Sequence, residues 1–198
     1  MKRRGAAAQA VPRAGAWPAA RRLAVALCIA AGAAALPASA QSAAASADEV
    51  KAAYLYRFIG YVEWPPRVFT SAQSPIVIGV VGADAVLADL DGLVKGRTAE
   101  GRPVSVRELA RDAPLEGIHV LFISKDVIAP RSWLQRAREN SVLVVTESPQ
   151  GLAGGGVLNF VLADHRVRFE ASLAAAEQSG LKLSSRLLAV ASRVVTER

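Results

Sequence analysis

The side chains of this chain that could do covalent or metal chemistry are few and scattered: two histidines, His119 and His165, one cysteine, Cys28, and serines without a catalytic setting. A serine hydrolase raises its nucleophile on a G-x-S-x-G elbow with a base in reach, and no serine here has that surround. His119 lies in the apolar run IHVLFI, followed by Ser124, and is expected inside with its ring nitrogens satisfied by backbone. His165 lies in Ala163-Asp164-His165-Arg166, between two strand-like runs, and reads as a solvated turn residue. Two separated histidines without thiols cannot build a zinc-type cluster, so no metal and no cofactor is expected. Catalysis is not the expected activity.

Binding chemistry has more to work with. GVVGAD (Gly79 to Asp84) stands between a strand-like and a helix-like run, where a phosphate-cradling loop would stand. It lacks the third glycine of a dinucleotide fingerprint and any G-K-[ST] ending, and a tight turn explains its glycines. Arg166, Arg168 and Glu170 alternate with Val167 and Phe169, which puts the three charged groups on one strand face. Cross-strand charge pairing is one reading; a basic pocket for a small anion or an acidic partner is the other, and makes these three the candidate ligand-binding residues. Lys182, Ser184, Ser185 and Arg186 read as a helix start with an anion-facing N-terminus. All three tyrosines of the chain fall in AYLYRFIGYVEWP, Ala53 to Pro65. Val50, Tyr54, Phe58, Tyr61 and Val62 repeat at helical spacing and are expected to bury against a sheet, widened by Leu55 and Ile59. Tyr56 leaves that stripe and Trp64 follows it beside prolines, and such extra aromatics are the residue types enriched at interface hot spots.

Around these groups the chain divides simply. Basic residues from Lys2 to Arg22 precede an apolar run, Leu23 to Ala35, then Pro37 and the small residues Ala38-Ser39-Ala40. That order is a secretory signal peptide over residues 1–40, with an apolar run too short to span a bilayer. Residues 41–47 read as a mobile linker and 48–198 as one domain. The leader holds six of the 24 basic residues and none of the 17 acidic ones, leaving 18 against 17 after cleavage. The nucleic-acid reading suggested by the overall charge of +7 therefore loses its support. Cys28 leaves with the leader, which excludes a disulfide framework and thiolate chemistry.

The elements expected to position the candidates follow an alternating pattern. A helix runs from Asp48 to about Val62, stopped by Trp64-Pro65-Pro66. A strand at Ile76 to Val81 leads to a helix capped by Asp84 and reaching Val94. Gly96 to Pro103 reads as a turn before a strand around Val104 to Val106. A strand at Ile118 to Ile123, a helix at Ser132 to Glu139 and a strand at Val142 to Val145 follow. VLNFVLADHRVRFEAS reads as an antiparallel hairpin on the sheet edge. A helix from Ser172 ends near Gly180, and a last helix spans Ser184 to Val195. The fold class is α/β: a mixed, mainly parallel sheet flanked by helices, with a C-terminal antiparallel hairpin, in a single domain.

Five blocks in order, KAAYLYRFIGYVEWP, IVIGVVG, GRPVSVREL, HVLFIS and GGVLNFVL…HRVRFEASLAAAEQSGLKLSSRLLAVA, resemble the YfiR-like family of small periplasmic proteins. The resemblance spans about Val50 to Val195. It implies an exported α/β domain without known catalysis. It also implies a partner, the periplasmic domain of an inner-membrane diguanylate cyclase, held inactive so that cyclic di-GMP and biofilm formation fall. A peptidoglycan-binding outer-membrane lipoprotein as a second partner, a homodimer and a small aromatic or nucleotide-like ligand are further implications. Family members often carry a cysteine just before the histidine of the HVLFIS block. Ile118 stands there instead, so disulfide-based stabilisation or redox sensing does not carry over.

Two functions from different classes follow. The first is a periplasmic regulator that acts by protein–protein contact, with Tyr56, Arg57, Tyr61 and Trp64 as the contact patch. The second is a periplasmic small-ligand-binding sensor, with Arg166, Arg168, Glu170 and the Gly79–Asp84 turn near its pocket. A third, an exported hydrolase, requires a serine brought against His119 or His165.

Overall fold

The computed structural model describes residues 45–196. The signal peptide read over residues 1–40 lies outside them, as does the linker up to residue 44. The first helix, α1 (Ala47–Phe58), begins one residue before the expected start because Ser46 caps it. Ser46 Oγ accepts the Glu49 N–H at 3.0 Å, and the Glu49 carboxylate accepts the Ser46 N–H at 2.8 Å. This reciprocal box satisfies two polar groups left free at the chain's entry into the helix.

The helix ends at Phe58, not at Val62 as its aromatic stripe suggests. A 3-10 turn (Ile59–Tyr61) follows, and Val62–Glu63 becomes β1, paired antiparallel with β9 (Lys182–Leu183). The competing partner lies 119 residues along the chain and is invisible to local periodicity. The buried face is also rotated from the expected one. Ala52, Leu55, Phe58 and Ile59 are fully buried, whereas Val50 and Tyr54 are half-buried and Tyr61 is exposed.

The other elements in chain order are β2 (Ile76–Val81), α2 (Asp84–Val94), β3 (Thr98–Ala99), β4 (Arg102–Glu108), β5 (Val120–Ile123), α3 (Arg131–Glu139) and β6 (Leu143–Thr146). Then come β7 (Leu158–Ala163), β8 (Arg166–Ser172), α4 (Leu173–Gln178), α5 (Ser185–Val190) and β10 (Arg193–Val195). One eight-stranded sheet has the order β10-β8-β7-β6-β5-β2-β4-β3, antiparallel only at β7–β8 and β3–β4. This is the mixed, mainly parallel sheet that the sequence implies.

Alternation along the central strands divides two cores. Ile76, Ile78, Val80, Val120, Phe122, Leu143 and Val145 face α1 and α2. Val77, Val81, Leu121, Ile123, Val142 and Val144 face Trp133 and Ala137 of α3. With both faces covered, IVIGVV, VLFI and VLVV have no polar side to show. Each such large side chain contributes about 1.5–3 kcal/mol by leaving water.

Local differences from the expected elements have physical reasons. Asp84 is the first residue of α2 and not its cap; Ala83 holds the cap position without a side-chain hydrogen bond. The stretch read as a turn from Gly96 contains β3, folded back on β4. The C-terminal hairpin is one strand in from the edge, because β10 pairs parallel with β8. Its two-residue turn, Asp164-His165, has φ of 50° and 58°, the positive pair that matches the twist of tight hairpins. Gly180, with φ 68°, ends α4 as expected: its N–H donates to Glu177 O and the Leu181 N–H to Ala176 O. The final helix stops at Val190, and Arg193–Val195 is strand. There Ser192 donates to Phe169 O through both N–H and Oγ, which fixes the register of the edge. No helix of the described residues is long and apolar enough to cross a membrane.

Candidate functional site

The end of α1 builds the most distinctive surface. After the 3-10 turn, β1 and β9 form a small two-stranded sheet, with Ser184 N–H donating to Tyr61 O at 2.9 Å. Glu63 and Lys182 pair across it at 3.0 Å, both exposed. Pro65 and Pro66 then turn the chain through a second 3-10 turn (Pro66–Val68) toward Phe69. Between this ribbon and the β3–β4 hairpin lies a cleft of ≈ 540 Å³, walled by Tyr61, Trp64, Phe69, Glu100, Arg102 and Lys182.

Polarity in the cleft is uneven. Trp64 is only 8% exposed and its indole Nε1 makes no hydrogen bond, an uncommon state for a buried donor. The Arg102 guanidinium lies 3.8 Å from the centre of the Phe69 ring, a cation–π distance. It also donates from Nη1 to Ser71 O and Ser74 O. Phe69 stacks its other side on buried His119.

His119 accepts the Val77 N–H at Nδ1, which puts its proton on Nε2, and Nε2 is buried without a partner. Half of the expected satisfaction by backbone is therefore present. Burial, above all, and the charge of Arg102 hold its pKa below the ordinary imidazole value, against the pull of the carbonyls of Val68 and Gly117, which lie near the ring without completing a hydrogen bond to Nε2.

The four aromatic-patch candidates fall into three situations. Tyr61 and Arg57 are exposed, and Tyr61 lies at the rim of the cleft. Trp64 is a buried wall of it. Tyr56 is half-buried and structural in its contacts: its hydroxyl donates to Thr98 O at 3.0 Å, and Arg97 lies 6.0 Å from its ring. Phe69, Glu100 and Arg102 complete the cleft but carry no signal in spacing, since they meet only through tertiary folding.

The second candidate set assembles differently. Arg166, Arg168 and Glu170 do share one strand face. Arg166 and Arg168 are exposed on the hairpin and make no ion pair among the described residues. Glu170 is taken by Arg193, with Nε to Oε1 at 2.8 Å and Nη2 to Oε2 at 2.9 Å. That guanidinium holds the Glu170 carboxyl below the usual carboxylate range. Reading Arg193 as helical concealed this partner. The Gly79–Asp84 turn does not join the set: β5, β6 and β7 lie between β2 and β8, about 19 Å at the usual strand spacing. Gly79 faces Leu109 and Ile118, where a side chain would collide, and Gly82 turns with φ 67°. Packing and turning account for both glycines. Ser184 Oγ accepts the Leu187 N–H, so the start of α5 is already capped by its own side chain.

Ser124 and His119 stand at opposite ends of β5, roughly 16 Å apart along an extended strand, and form no nucleophile–base pair. One pairing that the sequence did not suggest is Lys51, nearly buried on α1, which reaches Asp48 at 2.9 Å and Glu147 at 2.8 Å. Burial alone would lower its pKa, but the two carboxylates outweigh it and raise it above the ordinary lysine value.

Residues 48–192 match the YfiR/HmsC-like family. The chain belongs to that family. YfiR/HmsC-like proteins are periplasmic and regulatory rather than catalytic, and they act on diguanylate cyclases. A structural match is a conserved domain protein from Vibrio cholerae O1 biovar El Tor, 14% identical, covering 75% of this chain, with a TM-score of 0.46. This chain spans 60% of that protein's length. No curated protein matches.

Proposed function

We propose that this protein, exported through a cleaved signal peptide, represses an inner-membrane diguanylate cyclase by binding its periplasmic domain, lowering cyclic di-GMP and biofilm formation. The observation that carries this reading is the family match over nearly the whole described domain. Repression needs only that the protein bind the inactive arrangement of the cyclase more tightly than the active one. In this reading the contact patch comprises the exposed Arg57 and Tyr61 together with Trp64, which lines the cleft beside Tyr61, while Tyr56 supports α1 through its bond to Thr98 O. A tyrosine supplies contact area at small entropic cost and an arginine supplies orientation. Deleting the gene raises cyclic di-GMP and surface attachment; unchanged levels in the deletion strain, with the cyclase expressed, sink the reading.

A small-ligand sensor is the second reading, favoured by the cleft of ≈ 540 Å³ and the unpaired Trp64 Nε1 in its wall. Its expected mark is a ligand-dependent rise in melting temperature. A flat thermal-shift screen over nucleotides, aromatic amino acids and vitamins removes it.

A further inference from the structure

The segment Pro65 to Pro75 crosses the body of the domain with few ties. All of its backbone–backbone hydrogen bonds are local: Val68 N–H to Pro65 O, Phe69 N–H to Pro66 O and Ser74 N–H to Ser71 O. Side-chain hydrogen bonds to the rest of the domain come from two arginines, and the Val68 carbonyl lies near the His119 ring. Arg102 Nη1 holds Ser71 O at 2.7 Å and Ser74 O at 3.1 Å, and Arg67 Nη2 donates to Ser141 Oγ at 2.9 Å. The apolar attachments are Val68 and Phe69, both half-buried against the core, with Phe69 held between Arg102 and His119.

Two buried side-chain nitrogens without a hydrogen bond among the described residues are Trp64 Nε1 and His119 Nε2. Both flank this segment: Trp64 is its root and His119 lies under its ring. Unpaired buried donors disfavour the closed arrangement, and side-chain clasps release more easily than a strand ladder.

We propose that residues 65–75 are a strap that opens at the Arg67 and Arg102 clasps to hand Trp64 and Phe69 to the partner. This rests on the regulatory reading above and gives that site its control. Closed, the strap leaves only Arg57 and Tyr61 for the partner to meet. Open, it adds two aromatic rings at the rim and gives both stranded nitrogens to water. The partner then binds a minor state, and its apparent affinity scales with the open fraction.

The test reads the strap and the regulation separately. Hydrogen exchange of the Trp64 indole N–H is followed by NMR, with Trp133, whose Nε1 donates to Ala113 O, as the internal reference. Arg102→Ala and, independently, Arg67→Ala are expected to speed Trp64 exchange about tenfold and leave Trp133 unchanged. Equal, unresponsive exchange at the two indoles overturns the strap. In a deletion strain, either clasp variant is expected to lower cyclic di-GMP below the level set by the wild-type gene. Faster Trp64 exchange with unchanged or weaker repression overturns the handover while leaving the regulatory reading intact. A deletion without effect on cyclic di-GMP removes the regulatory reading and the strap's role with it, whatever the exchange shows.

Discussion

Phe69 and His119 stack nearly face to face, with ring centroids 4.8 Å apart and 14° between their planes. Burial and the Val77 hydrogen bond favour the neutral imidazole in this stack. A second proton would fall on Nδ1, which already accepts the Val77 N–H, and would add charge beside Arg102. The folded-state pKa is depressed, so the unfolded chain binds the proton first as pH falls. Stability from this group is complete above about pH 6.5, the unperturbed imidazole value, and declines as pH drops toward the depressed value. The slope is bounded by ~1.4 kcal/mol per pH unit for one proton. Urea midpoints at pH 7.5 and 5.5 are expected to differ more in the wild type than in His119→Gln. Equal pH dependence in the two proteins contradicts the assignment.

Tyr56 joins α1 to the β3–β4 hairpin through one hydroxyl, to Thr98 O. Removing it in Tyr56→Phe keeps the ring and is expected to cost about 0.5–1.5 kcal/mol, the usual net value of a hydrogen bond. Denaturant titration measures this. Repression in cells should survive the change; if it is lost while stability holds, Tyr56 belongs to the contact patch after all.

Lys51 bridges Asp48 and Glu147 from a nearly buried position. Lys51→Met keeps the apolar stem and leaves Glu147, itself partly exposed, without an ion-pair partner among the described residues. A fully buried broken pair costs about 3–5 kcal/mol, and the partial exposure here reduces the expected loss to about 1–2 kcal/mol. A double variant, Lys51→Met with Glu147→Gln, should recover part of it. No recovery in a double-mutant cycle removes the ion pair as the cause.

Local sequence signals located most of the sheet because its central strands are covered on both faces and write themselves as unbroken apolar runs. Gly180 announced the end of α4 for an equally local reason, the positive φ that a helix C-terminus requires. What local signals missed was decided by distant strands. Val62–Glu63 left the helix for Lys182–Leu183, and Arg193–Val195 left a helical stripe to cover the open edge of β8. The cleft had the same difficulty, since Trp64 meets Phe69, the β9 ribbon and the β3–β4 hairpin only through tertiary folding. An aromatic residue beside two prolines could equally have stood in solvent.

That burial changes which of the candidate contacts a mutation can test cleanly. Trp64→Ala opens a cavity in the core cluster, so lost repression would not separate contact from folding. Arg57 and Tyr61 are free of that difficulty, being exposed and without a side-chain hydrogen bond or ion pair among the described residues. Substituting both by alanine is expected to shift stability by no more than about 0.5 kcal/mol for each, as at other exposed positions. If they anchor the partner, the double variant weakens binding to the cyclase's periplasmic domain by tenfold or more, the effect of about 1.4 kcal/mol. In the deletion strain it should leave cyclic di-GMP high at normal protein levels. Full repression by a stable Arg57→Ala, Tyr61→Ala protein would move the contact to another face of the domain.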